Sequence, residues 1–74
     1  MTRLLRGLSG RKVRLALDRA GSILKRQKGG HMVLRRDEPF AQVVVPTHAS
    51  IDTGTLAAIL HAAGLTQDEF EEWL

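Results

Sequence analysis

A chain of 74 residues makes one small domain, close to the lower limit at which a core holds without staples. Cysteine is absent, which excludes a disulfide framework, a thiolate metal site and a cysteine nucleophile, and suits a reducing cytoplasm. The net charge of +3 hides a segregation: residues 1–36 hold all 11 Lys and Arg against the single acid Asp18, and residues 37–74 hold the remaining acids with no Lys or Arg. The basic half reads as a polyanion-binding surface and the acidic half as a part kept away from the polyanion. Solvated helix faces with attraction between the halves are the plainer alternative.

In chain order, Met1-Thr2-Arg3-Leu4-Leu5 is cut short by Arg6 and is too brief for a signal peptide. No apolar run approaches the ~20 residues of a membrane span, so a soluble, cytoplasmic single domain over residues 1–74 is expected. Ser9 can cap a helix from about Gly10 to Ala20, with Gly21 as its left-handed stop. Val13, Leu17 and Ala20 recur there at helical spacing with Ala16 beside them, and Arg11, Arg14 and Asp18 lie off the stripe. Ser22 to Gln27 reads as a strand, Lys28-Gly29-Gly30 as a hairpin turn, and His31 to Arg36 as the partner strand.

Asp37-Glu38-Pro39 breaks that strand, and Gln42-Val43-Val44-Val45, ended by Pro46, forms a third. A second helix runs from near Asp52 to Gly64 on the stripe Leu56, Ile59, Leu60 and Ala63. Thr66 with Glu69 makes a capping box, and Leu65 with Phe70 a hydrophobic staple, so a last short helix follows. The order α-β-β-β-α predicts an α+β fold: a three-stranded antiparallel meander with both helices on one face. Alternation puts Met32 and Leu34 on the covered face and His31, Val33 and Arg35 on the open one.

The chemistry concentrates at Arg26-Gln27-Lys28-Gly29-Gly30-His31. Two glycines allow a tight turn and close approach of a ligand to the backbone. Arg26 and Lys28 seek phosphate, and histidine is the side chain that ordinarily titrates near neutral pH. With a loop of about Asp37 to Ala41, Arg36 faces Gln42 and His31 faces Thr47. His48 would then stand within roughly 5–8 Å of His31, by the spacing of cross-strand neighbours. Such a pair can supply a general base and a general acid. Read alone, His48 is a surface loop residue, and His61, beside the stripe of the second helix, is given no role.

Several stretches carry a resemblance together. They are Ser9-Gly10 at the start of the first helix, Arg26-Gln27-Lys28-Gly29 before His31, Val45-Pro46-Thr47-His48, and Gly54-Thr55-Leu56 with Ile59-Leu60. Ala63-Gly64-Leu65-Thr66 with Glu69-Phe70 closes the set. In this order and spacing the chain resembles the HicA-type mRNA interferase toxins of bacterial toxin–antitoxin pairs. The resemblance implies a fold like that of a double-stranded-RNA-binding domain and metal-independent endoribonuclease action on mRNA. It also implies a catalytic role for the histidine that aligns with His31, and a HicB-type antitoxin that masks the active site. The family usually has Ser or Thr where this chain has Gly30, and a phenylalanine where it has Ser22.

Cutting RNA through its own 2′-OH needs a base on that hydroxyl, stabilisation of the phosphorane charge, and a proton for the leaving 5′ oxygen. His31 is the expected base and His48 the candidate acid. Lys28 with Arg26 behind it, and N–H groups of Gly29 and Gly30, would stabilise the charge. Arg11, Lys12 and Arg14, with Arg3 and Arg6 ahead of them, are expected to hold RNA phosphates generally. No carboxylate cluster accompanies His31, so neither a metal nor another cofactor is expected. Two rival readings stand beside this one: a non-catalytic RNA-binding module, and an adaptor whose basic surface docks on an acidic protein.

Overall fold

Helix α1 (Gly10–Arg19) starts where the sequence supplies a cap: the Ser9 hydroxyl accepts a hydrogen bond from the Lys12 N–H at 3.1 Å. The structure, a computed structural model, describes residues 5–74. Arg3 and most of the stretch weighed as a signal peptide therefore lie outside the described residues. α1 buries Val13, Ala16 and Leu17 and ends one residue before the expected Ala20, which is its C-cap. Gly21, at φ +107°, reverses the chain, and the Ser22 N–H donates to the Leu17 carbonyl at 2.9 Å. Ser22 itself is buried.

Strands β1 (Ile23–Lys28), β2 (His31–Asp37) and β3 (Phe40–Pro46) form one antiparallel sheet in the order β1-β2-β3. Gly29 and Gly30 make the first turn at φ +55° and +85°, the two positive angles that a type I′ hairpin requires. The second turn is tighter than the loop expected at Asp37 to Ala41. Asp37 pairs directly with Phe40, leaving only Glu38 and Pro39 between the strands. This moves the whole register by one: His31 faces Pro46 rather than Thr47, and Arg36 faces Ala41 rather than Gln42. Arg36 braces the turn, donating from Nε to the Pro39 carbonyl and from a terminal nitrogen to the Ala63 carbonyl, both at 2.9 Å.

One irregularity interrupts β1. Leu24 pairs with Leu34 and Arg26 with Val33, so Lys25 is the extra residue of a β-bulge.

Helix α2 (Thr53–Ala63) is capped by Asp52 and stopped by Gly64 in the left-handed region. Its stripe of Leu56, Ile59, Leu60 and Ala63 is buried as the spacing predicts. Helix α3 (Gln67–Glu71) carries the full capping box: Glu69 N–H donates to the Thr66 hydroxyl at 3.1 Å, and Thr66 N–H to the Glu69 carboxylate at 2.8 Å. Phe70, wholly buried, and Leu65 seal the end of the core.

The helices cover one face of the sheet. Met32, Leu34, Val43 and Val45 point into a single core with Val13, Leu17, Leu60 and Phe70. Burying a side chain of this size contributes about 1.5–3 kcal/mol each, so the covered face fixes which residues are left outside. The open face carries His31 together with the exposed Ile23, Phe40 and Val44. This is the α+β meander expected from the sequence.

Candidate active site

The site is built on the tip of the first hairpin. Lys28 and His31 are direct cross-strand partners, as are Arg26 and Val33. Partners across an antiparallel pair share a face, so Lys28, Arg26 and His31 all lie on the uncovered side, and all three are exposed. The bulge is responsible for this. Strict alternation from the inward-facing Leu24 would have turned Arg26 and Lys28 toward the helices; the extra Lys25 restores them to the side of His31.

The turn itself is bare. A Cβ built on Gly29 would meet no atom within 4 Å, and one on Gly30 would lie 3.5 Å from the Thr47 hydroxyl. A phosphate can therefore approach the backbone closely. Thr47 anchors the tip to the end of β3: its N–H and its hydroxyl both donate to the Gly30 carbonyl, at 2.8 and 3.1 Å. Sequence reasoning used Thr47 only to count register. Its place in the Pro46-Thr47-His48 stretch was the available signal.

His48 follows at once, exposed, with its carbonyl accepting the Gly10 N–H at 2.9 Å. Gly10 allows this seating. A Cβ there would overlap the Pro46 carbonyl oxygen and lie 3.1 Å from Thr47 Cα. The start of α1 thus rests against the end of β3.

That contact divides the cations expected to hold RNA. Arg11 and Arg14 line a groove of about 330 Å³ with Leu24, Gln27, Met32 and Thr47. This groove lies on the helix side of the hairpin, because Gln27 and Met32 point opposite to Lys28 and His31. Lys12 lines a separate recess with Leu8, Leu15, Arg19 and Leu74. On the open face, Arg35 is paired with Asp37 at 2.9 Å. Among the described residues, no three His, Cys, Asp or Glu side chains stand together in a way that could hold a metal ion. Two carboxylates are held below their ordinary range, Asp52 by hydrogen bonds from Thr55 and Glu69 by hydrogen bonds from Thr66. Both are helix caps rather than members of the hairpin.

The α-β-β-β-α domain thus carries one histidine and two cations, exposed and on the uncovered face, at a glycine hairpin. Comparison with protein families gives it a place: the model described as "HicA toxin of bacterial toxin-antitoxin" matches residues 10–65. The chain belongs to the HicA toxin family. It is thus a toxin-type component, and a toxin of this kind has an antitoxin partner. No curated protein matches the chain. Among the described residues, no helix is long and apolar enough to cross a membrane.

Proposed function

We propose that this protein is a metal-independent endoribonuclease that cleaves mRNA in the cytoplasm and is held in check by a HicB-type antitoxin. The observation that carries the reading is the Lys28–His31 pair, side by side at the end of a bare glycine turn. His31 takes the proton from the 2′-OH of the nucleotide before the scissile bond. The 2′ oxygen attacks the adjacent phosphorus, the bond to the 5′ oxygen breaks, and that oxygen leaves with a proton. The products are a 2′,3′-cyclic phosphate and a 5′-OH end.

Each neighbouring group has one task. Lys28, with Arg26 two cross-strand pairs behind, stabilises the charge that develops on the phosphorane. The N–H groups of Gly29 and Gly30 offer further donors on a backbone that no side chain shields. His48 is the proposed proton donor to the leaving oxygen; it follows Thr47, whose pairing with Gly30 carries the register past the end of β3. The metal-free reading is supported by the make-up of the tip, which holds cations, glycines and a histidine but no carboxylate. Arg11 and Arg14, which share the groove next to the hairpin, supply further phosphate contacts, and Lys12, in the separate recess, contributes less.

A partner that silences the enzyme need only cover the hairpin tip, and a surface this basic gives an acidic antitoxin both steering and affinity. The test compares the parent chain with His31→Ala on a defined RNA. Loss of a general base lowers the rate about 10²–10⁴-fold. EDTA is expected to leave the parent rate unchanged, and a deoxyribose at the scissile position to block it. Unchanged cleavage by a folded His31→Ala chain would overturn the proposal.

A further inference from the structure

The groove between α1 and the root of the hairpin takes no part in the chemistry above. It lies on the opposite side of the hairpin from His31, but it is lined by Met32, the next residue of β2, and by Thr47, which holds the Gly30 carbonyl. Its floor is apolar, made by the half-buried Leu24 and the buried Met32. Its rim carries Arg11 and Arg14, and the Arg14 Nε is shut from solvent with no hydrogen-bond partner. At about 330 Å³ the groove falls at the small end of ligand sites.

We propose that this groove receives one base of single-stranded RNA beside the scissile phosphate and that Gln27 reads its edge. The inference rests on the endoribonuclease reading. Single-stranded RNA is recognised through splayed bases laid on apolar or guanidinium surfaces and hydrogen-bonded at their edges. Leu24 and Met32 offer the surface, Arg11 and Arg14 the guanidinium planes and the counter-charge for flanking phosphates. The Gln27 carboxamide offers a donor and an acceptor side by side, the pairing that base edges present. Charge favours this occupant: α1 and the hairpin bring only cations to the rim. The RNA strand would pass from the groove around the glycine turn, where no side chain obstructs it, to His31.

The experiment maps cut sites of the parent and Gln27→Leu chains on one RNA containing every local sequence context. The parent should favour one base next to the cut, and Gln27→Leu should flatten that preference by roughly 5- to 100-fold, the span of a good base-edge contact. Gln27 is exposed, so the variant should fold, and circular dichroism checks this. A second arm titrates isotope-labelled His31→Ala with a trinucleotide carrying deoxyribose at the scissile position. Resonances of the Gln27 carboxamide and of the Leu24 and Met32 methyls should then move. Uniform cutting by the parent, an unchanged preference in Gln27→Leu, or groove resonances that respond only to a glutamate-rich peptide would each overturn the inference while leaving the endoribonuclease reading standing. A parent chain that binds the trinucleotide in the groove but cuts no RNA would instead sink the endoribonuclease reading.

Discussion

Lys28 and His31 form the last cross-strand pair of the first hairpin, and the Cβ-free Gly29-Gly30 turn leaves the space beyond them open. In the proposed mechanism a cation in that position acts on charge that exists only as the phosphorus becomes five-coordinate. Lys28→Ala should therefore lower kcat about 10²–10³-fold, the range for losing one preorganised charge stabiliser. KM should change little, because Arg26 and the helix cations remain to hold ground-state phosphates. Single-turnover cleavage of a short RNA separates the two, and a loss confined to KM would assign Lys28 to binding alone.

Gly10 makes a structural prediction. A methyl group there would run into the Pro46 carbonyl, and its nearest neighbours are all backbone atoms of Pro46 and Thr47, with no flexible side chain to displace. Gly10→Ala should destabilise the fold by about 1–3 kcal/mol, as overpacking does, despite the better helix propensity of alanine. Urea unfolding measures this; a stability equal to the parent would mean that α1 does not need to sit so close to β3.

The division of the basic residues predicts unequal roles. Arg11 and Arg14 share the groove next to the hairpin, while Lys12 lies in the recess with Arg19. For single strands each phosphate contact contributes about −0.7 to the slope of log K against log salt. Arg11→Gln with Arg14→Gln should thus flatten the slope by about 1.4 if each holds one phosphate. Lys12→Gln should leave it nearer the parent value. Fluorescence anisotropy over a salt series in the His31→Ala background reads both.

Two caps set an acid dependence. Glu69, accepting from the Thr66 backbone, is held below its ordinary value of 4.5, and Asp52, accepting from Thr55, below its ordinary 3.8. A lowered folded-state pKa stabilises the fold above the ordinary value, and the effect is lost as pH falls through the folded-state value. Stability should accordingly decline on acidification below about pH 5, with ordinary carboxylate values near 4. Glu69→Gln keeps a capping side chain but not its charge. Its deficit relative to the parent should be present at pH 6 and shrink as pH falls through the folded-state value, the urea midpoints of the two chains converging.

What could be read from the sequence was local. Thr66 and Glu69 announce their cap by a spacing of three, and Met32 and Leu34 their burial by simple alternation, and both stand in the structure as expected. The hairpin turn was equally legible, because two adjacent glycines dictate it. Register was not, since pairing His31 with Pro46 depends on how tightly the chain turns at Glu38-Pro39, a non-local outcome. The bulge at Lys25 and the seating of Gly10 against Pro46 are likewise settled between elements rather than within one. The groove around Gln27 draws its walls from α1, β1, β2 and the residue after β3, so no window of sequence displays it.

The bulge also bears on how this hairpin can vary in length. Losing one residue from a strand ordinarily inverts every side chain beyond the gap. Here Lys25 is the surplus residue, and a chain without it would pair Leu24 with Leu34 and Arg26 with Val33 in regular succession. Arg26, Gln27 and Lys28 would keep the faces they now have. A single-residue deletion at this point should therefore be absorbed without turning the chemistry of the hairpin inward.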